Sequence, residues 1–387
     1  MRWQNSTLGE IAKRDGGLIQ TGPFGAQLHQ ADYKSEGIPV IMPKDIADGR
    51  VSVESIALIS EEMANRLERH KLKPRTIVLP RRGEITKRAF IRAEQEGWLC
   101  GTGCLKIELS GKELAPEFLY YFMEQGHVVQ WLLQHAVGTT MLNLSAGIVS
   151  QLPVRFPSVE AQHEIASTLS TYDDLIENNR RRMALLEDAA RQVYQEWFVR
   201  LRFPGREHTR IVVGVPEGWE RMPLESALVL QRGFDLPSQD RSDGSVPIYA
   251  STGVNGTHNV AKAKAPGIVT GRSGSLGMVH YVHEDYWPLN TTLWVKEFRR
   301  VSPIFAYFLL SSLHLDQYNG GVSVPTLDRK VVHKIEVVVP DGKTQALFGD
   351  SVLPMFTQIR NLGIYNDKLR TARDLLLPKL MSGEISV

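Results

Sequence analysis

Two cysteines, a pair of histidines beside two acids and one glycine-rich loop are the groups in this 387-residue chain whose residue types suit chemistry. Each fails on spacing. Cys100 and Cys104 form a CxxxC pair without the further Cys or His pairs of a structural zinc site, so they read as two reduced thiols. His280 and His283, with Glu284 and Asp285, sit three apart on a predicted strand, which turns the two rings to opposite faces and argues against metal ligation. Gly271-Arg-Ser-Gly-Ser-Leu-Gly277 follows an Ile-Val strand as a turn would and lacks the lysine of a phosphate-binding loop. No Gly-x-x-x-x-Gly-Lys-Ser/Thr motif, no Asn/Asp-Pro-Pro-aromatic methyltransferase loop and no clustered-carboxylate nuclease signature occurs. The expectation is a chain with no catalytic residues and no metal, whose chemistry lies in partners.

Basic residues on turns suit a different task. Arg81 and Arg82 precede Gly83, and Arg272, Ser273 and Ser275 stand at a matching turn later in the chain. Arginine pairs bidentately with guanine or holds phosphate. Lys87, Arg88, Lys262 and Lys264 read as backbone contacts to DNA. From Arg66 to Arg92 there are ten Lys/Arg against two acidic residues, while the whole chain carries only +2. So small a net charge is weak for a protein that binds DNA alone, because phosphate contacts dominate such affinity.

What must position these turns is an internal repeat. Each half opens on a tryptophan and a short strand-like lead, Trp3 to Ile11 and Trp219 to Leu224. Thr76-Ile-Val-Leu-Pro-Arg-Arg-Gly83 answers Gly267-Ile-Val-Thr-Gly-Arg-Ser-Gly274, and Pro116 to Phe122 answers Pro303 to Leu309. Leu144 to Pro157 matches Leu327 to Pro340 at a constant offset of 183 positions. Within each half, short β-branched runs alternate with Gly/Pro/Asp turns and a few amphipathic helices, the pattern of a mixed α/β domain.

A different pattern follows each domain. Val159 to Arg200 contains neither Pro nor Gly. Its apolar residues recur at steps of four and three: Ile165, Leu169, Tyr172, Ile176, Met183, Leu186, Ala190, Val193 and Trp197, with Asn179 as the polar member. Phe348, Val352, Met355, Ile359, Leu362, Leu369, Leu376 and Leu380 repeat the rhythm, with Asn366 and Arg373 polar. These are heptad seams. Two helices of about 60 Å, one per repeat, should pack antiparallel as a spacer between two globular domains. A register in which position numbers sum to 545 sets Ile165 against Leu380, Trp197 against Phe348 and Asn179 against Asn366. Pro354 and Gly363 put the straightness of the second helix in question.

Composition supports a folded globular class: 42% of residues are hydrophobic and 23% charged. The apolar runs are too short for a membrane span, and the first residues show no export signal, so the cytoplasm is the expected location.

The chain resembles the specificity subunits of type I restriction–modification enzymes. The residues that carry the likeness include Gly22-Pro-Phe-Gly-Ala-Gln-Leu28, Asp32-Tyr33, Gly37-Ile-Pro-Val-Ile41, Leu152-Pro153-Val154 and Tyr172-Asp-Asp-Leu-Ile-Glu-Asn178. Asp45-Ile46, Ile165-Ala166, Glu196-Trp-Phe-Val199, Phe203-Pro-Gly205 and Leu375-Leu-Leu-Pro-Lys-Leu-Met-Ser-Gly-Glu-Ile385 complete the set.

The resemblance implies an α+β protein with a pseudo-two-fold repeat. Target-recognition domains would span 1–157 and 218–339, spacer helices 158–202 and 340–387, and a linker 203–217. Each domain would read one half of a bipartite site in double-stranded DNA. Two methyltransferase subunits would dock on the helices, and restriction/translocase subunits would join them. S-adenosylmethionine, ATP and magnesium would be used by those partners and none bound by this chain. The alternative is the specificity subunit of a fused methyltransferase–nuclease that cleaves on both sides of its site.

Overall fold

The computed structural model describes residues 3–25, 27–138, 141–321 and 324–385. Ala26, part of the Gly22–Leu28 motif, lies outside the described residues. The chain divides into two compact units, residues 1–177 with 366–387 and residues 178–365.

The two units repeat one strand plan. In unit 1 an antiparallel sheet runs in the order Leu18–Thr21, Cys104–Glu108, Ile77–Pro80, Ala89–Phe90. In unit 2 the order is Leu228–Arg232, Thr292–Phe298, Gly267–Gly271, Val279–Val282. Beside it, Ile38–Ile41 pairs parallel with Leu99–Cys100 and antiparallel with Ala57–Ile59. Val246–Ala250 does the same with Trp287–Pro288 and Gly253–His258. A two-stranded ribbon closes each plan: Gln4–Thr7 with Pro153–Phe156, and Glu220–Pro223 with Glu336–Val339.

The β-branched runs form strands because both faces are covered. Alternate side chains of a strand point opposite ways. Ile77 and Leu79 enter the core shared with helices, whereas Val78 enters a second core with Ile41, Cys100 and Cys104. Ile268 and Val269 divide between two cores of unit 2 in the same way.

The opening leads differ from expectation. Only Gln4–Thr7 is strand, and Leu8–Asp15 is helix. Thr7 and Glu10 form a reciprocal capping box there, which starts a helix where the apolar pattern alone suggested continued strand. Leu224 likewise begins a short helix, Leu224–Ala227.

The first long helix runs Val159–Tyr194 and ends in a π-helical turn, Gln195–Val199; the second runs Gly342–Ser382. Within each unit the two helix segments are antiparallel. In unit 1 Ile165 and Leu169 share a core with Leu377, Leu380 and Met381. In unit 2 Phe348, Val352 and Phe356 share one with Ala190 and Tyr194, and the Trp197 and Phe348 rings lie 5.9 Å apart. Asn179 and Asn366 are both buried, and Asn366 Nδ2 donates to the Ile176 carbonyl at 3.4 Å within unit 1. The remaining seam residues, among them Tyr172, Met183, Leu186, Val193, Ile359, Leu362, Leu369 and Leu376, are buried or partly buried, while Leu185 and Leu375 face solvent.

The second helix continues through Pro354 and Gly363. Val352 and Phe356 flank the exposed proline and anchor the helix on both sides of it, so packing outweighs the local propensity. No helix among the described residues is long and apolar enough to cross a membrane.

Candidate nucleic-acid interface

Each unit carries a turn at the end of a fully buried sheet strand. Ile77–Pro80 leads into Arg81, Arg82 and Gly83, and Gly267–Gly271 leads into Arg272, Ser273 and Gly274. Gly83 and Gly274 have φ of +75° and +85°, a left-handed conformation that glycine adopts without strain. The turns share one pinning bond: the Leu144 N–H donates to the Arg81 carbonyl and the Leu327 N–H to the Arg272 carbonyl, both at 2.8 Å. Sequence periodicity thus places the strands, and backbone hydrogen bonds to neighbouring loops hold the turns, the Leu144 and Leu327 bonds being common to both units.

The side chains on these turns are not equivalent. Arg81 Nε donates to Asn143 Oδ1 at 3.4 Å, and its guanidinium lies 5.8 Å from the exposed Phe24 ring. Arg82 is exposed and makes no side-chain hydrogen bond or ion pair among the described residues. Arg272 is partly buried and donates to the Asn290 carbonyl at 3.2 Å. Ser273 donates its backbone N–H to Thr291, and Ser275 shares the turn, its carbonyl packed on Gly271.

The remaining basic candidates are placed elsewhere. Lys87 is paired with Glu84 at 2.5 Å. Lys262 lies over the Trp287 and Phe234 rings at 5.2 and 5.9 Å, and the exposed Lys264 pairs with Asp285 at 2.6 Å. That Lys264 bond, with a backbone N–H from Ala265, holds the Asp285 carboxyl below its ordinary range. Lys262 and Lys264 belong to the segment bridged to Tyr286, not to the Arg272 turn.

Arg88 is a correction. Its side chain is buried, donates to the Tyr120 carbonyl at 3.0 Å, pairs with Glu124 at 3.0 Å and lies over the Tyr120 ring. It holds unit 1 together and does not present a charge to a phosphate. Part of the Arg66–Arg92 run is offset in the same way, by acids remote in sequence. Arg75 pairs with Glu117 at 2.5 Å and Lys73 with Glu108 at 3.9 Å.

Sequence reasoning missed Asn143, which faces Arg82, and Thr326, which faces Ser273. The signal was present: the two stand 183 positions apart, inside the constant-offset block once Leu144 and Leu327 are extended one residue backward.

Among the described residues no group of three or more His, Cys, Asp or Glu could hold a metal ion. Cys100 and Cys104 are buried and free, and burial pushes the Cys100 thiol up to about 12 and Cys104 upward as well. A cavity of about 230 Å³ in unit 1 is lined by Arg50, Arg92, Asp173, Asp174 and Tyr120, among others; Arg50 is itself paired with Glu177.

A repeated α+β chain, with one strand plan and one pinned turn in each unit and paired long helix segments, defines a two-unit repeat protein. Comparison with known proteins shows what that class resembles. Residues 1–188 match the family described as "Type I restriction modification DNA specificity domain". The type I restriction enzyme MjaIX specificity subunit of Methanocaldococcus jannaschii is 24% identical, the match covering 92% of this chain and 88% of that one. The HindI specificity subunit of Haemophilus influenzae is 20% identical over 76% and 83%. The crystal structure of the type I restriction–modification S subunit from M. genitalium has the same fold, with a TM-score of 0.60, 18% identity and coverage of 98% and 96%. The likeness to type I restriction–modification specificity subunits spans 92% of the chain in the MjaIX match, and the family model itself covers residues 1–188.

Proposed function

We propose that each unit reads one half of a bipartite target in double-stranded DNA. On this reading the long helices dock two methyltransferase subunits, and restriction/translocase subunits complete the assembly. S-adenosylmethionine, ATP and magnesium are then bound by the partners. The observation that carries the proposal is the repeated turn: one backbone, pinned by the same hydrogen bond, presents Arg81 and Arg82 in one unit and Arg272 and Ser273 in the other. Equal scaffolds with unequal side chains suit two half-sites of different sequence. The low net charge fits a subunit that relies on partners for part of its phosphate contact.

The test is co-purification on the tagged full chain, followed by methylome sequencing of cells carrying the recovered complex. A separate methyltransferase and a two-block methylated motif are expected. A fused methyltransferase–nuclease would favour the alternative assembly. Recovery of no methyltransferase, with no modified motif, would overturn the proposal.

A further inference from the structure

Two residue pairs, each joined by a single β-bridge, carry a second inference. In unit 1 the bridge joins Arg82 to Asn143, and in unit 2 it joins Ser273 to Thr326. A glycine under the same constraint precedes Asn143 and Thr326. A Cβ on Gly138 would lie 2.4 Å from the Met141 carbonyl oxygen, and one on Gly321 would lie 2.0 Å from that of Val324. The position five residues before each bridge therefore needs glycine. Each unit then exposes an apolar side chain, Met141 at 61% and Val324 at 53%.

Backbone is thus held constant while side-chain chemistry changes. Arginine and asparagine make the bidentate pairs that single out guanine and adenine, whereas serine and threonine make single hydrogen bonds to several base edges. Arg81 Nε fixes the Asn143 amide oxygen at 3.4 Å, and Arg82 beside it is exposed without a side-chain partner among the described residues. An exposed apolar residue two positions before the bridge suits contact with a thymine methyl.

We infer that Arg82 with Asn143, and Ser273 with Thr326, are the specificity-determining pairs of their units. Asn143 and Thr326 read bases on the strength of their position opposite the turn residues. The inference rests on the proposed reading of DNA by both units. The first half-site then contains a purine recognised bidentately, and the second is read less stringently at the equivalent step.

Selection from a randomised duplex pool with the full chain tests this. Arg82→Ser with Asn143→Thr should lower the purine preference on the order of tenfold at no more than two adjacent positions of one block, leaving the other block and the spacing unchanged. Ser273→Arg with Thr326→Asn should alter the other block alone. Should the first exchange unfold unit 1, Asn143→Asp keeps an oxygen for Arg81 and should shift preference from adenine toward cytosine. An unchanged consensus in folded variants, or changes in both blocks from one exchange, overturns the inference. A wild-type chain that enriches no sequence instead overturns the DNA-reading function itself.

Discussion

Arg373 on the second long helix donates to the Asp173 carboxylate on the first at 2.5 Å, inside unit 1. Arg373 also reaches Glu124 at 3.4 Å, Tyr121 donates to Asp173 at 2.7 Å, and Arg88 pairs with the same Glu124. The network ties both helix segments to the mixed α/β part of unit 1 through largely buried charges. Removing one member strands the others in a poor solvent. Arg373→Ala should destabilise unit 1 by about 2–4 kcal/mol in denaturant unfolding. Arg373→Met with Asp173→Leu should recover most of that loss. A double variant no more stable than the single one would mean that the network serves something other than charge balance.

Gln162 and Gln345, 183 residues apart, make matching hydrogen bonds at the starts of the two long helices. Gln162 accepts from the Ala115 N–H at 2.7 Å and donates to the Glu113 and Pro157 carbonyls. Gln345 accepts from the Ser302 N–H at 2.8 Å and donates to the Arg300 and Pro340 carbonyls. Each glutamine satisfies backbone groups that would otherwise be buried unpaired. Gln162→Ala and Gln345→Ala should each cost about 2–4 kcal/mol. Thermal melts of both variants check this, and a loss below 1 kcal/mol at either site would show that the freed groups find other partners.

How legible these features were follows from their physics. Periodicity exposes whatever is repeated along one element, so the seam from Ile165 to Trp197 and the run Thr76–Leu79 could be read directly. The repeat also carried the Gln162 and Gln345 pair, but a polar residue at a helix start does not reveal its partners. Partners brought together across 32 to 103 positions of chain leave no local trace, as with Arg88 on Tyr120 or the Leu230 N–H on His333. Arg88 therefore looked like any other cation beside Lys87. The Thr7 and Glu10 capping box was readable from four residues, but the apolar lead around it masked the signal.

His70 gives unit 1 an acid limit. Its ring is 1% exposed, and burial, reinforced by Arg69 and Lys106, lowers its pKa from 6.5 to about 4. The unfolded chain then binds a proton that the folded chain refuses. The associated stability is complete above pH 6.5 and falls as pH drops from 6.5 toward 4. His70→Leu should flatten that part of the stability-against-pH curve, read from urea midpoints between pH 4 and 7. A slope equal to that of the wild type would assign the acid sensitivity to other groups.

A fragment ending near Pro216 tests the repeat most directly. It keeps Ile165 and Leu169 but lacks Leu376 and Leu380, which pack against the same core in the intact chain. Subtracting the 183-residue offset from Leu376 and Leu380 gives Val193 and Trp197, so a second copy can fill those seats. Pairing at a sum of 362 sets Ile165 with Trp197, Leu169 with Val193 and Ile176 with Leu186. An exposed apolar seam of this length favours association through a two-fold axis. Two features weaken the dimer: tryptophan must occupy a leucine site, and Asn179 meets Met183 twice. Sedimentation should show a dimer at micromolar concentration, with a melting temperature below that of the full chain. With a methyltransferase bound, it should modify a palindrome built from the first half-site in inverted orientation. A fragment that stays monomeric, or a dimer that modifies a non-palindromic site, would show that the two halves are not interchangeable modules.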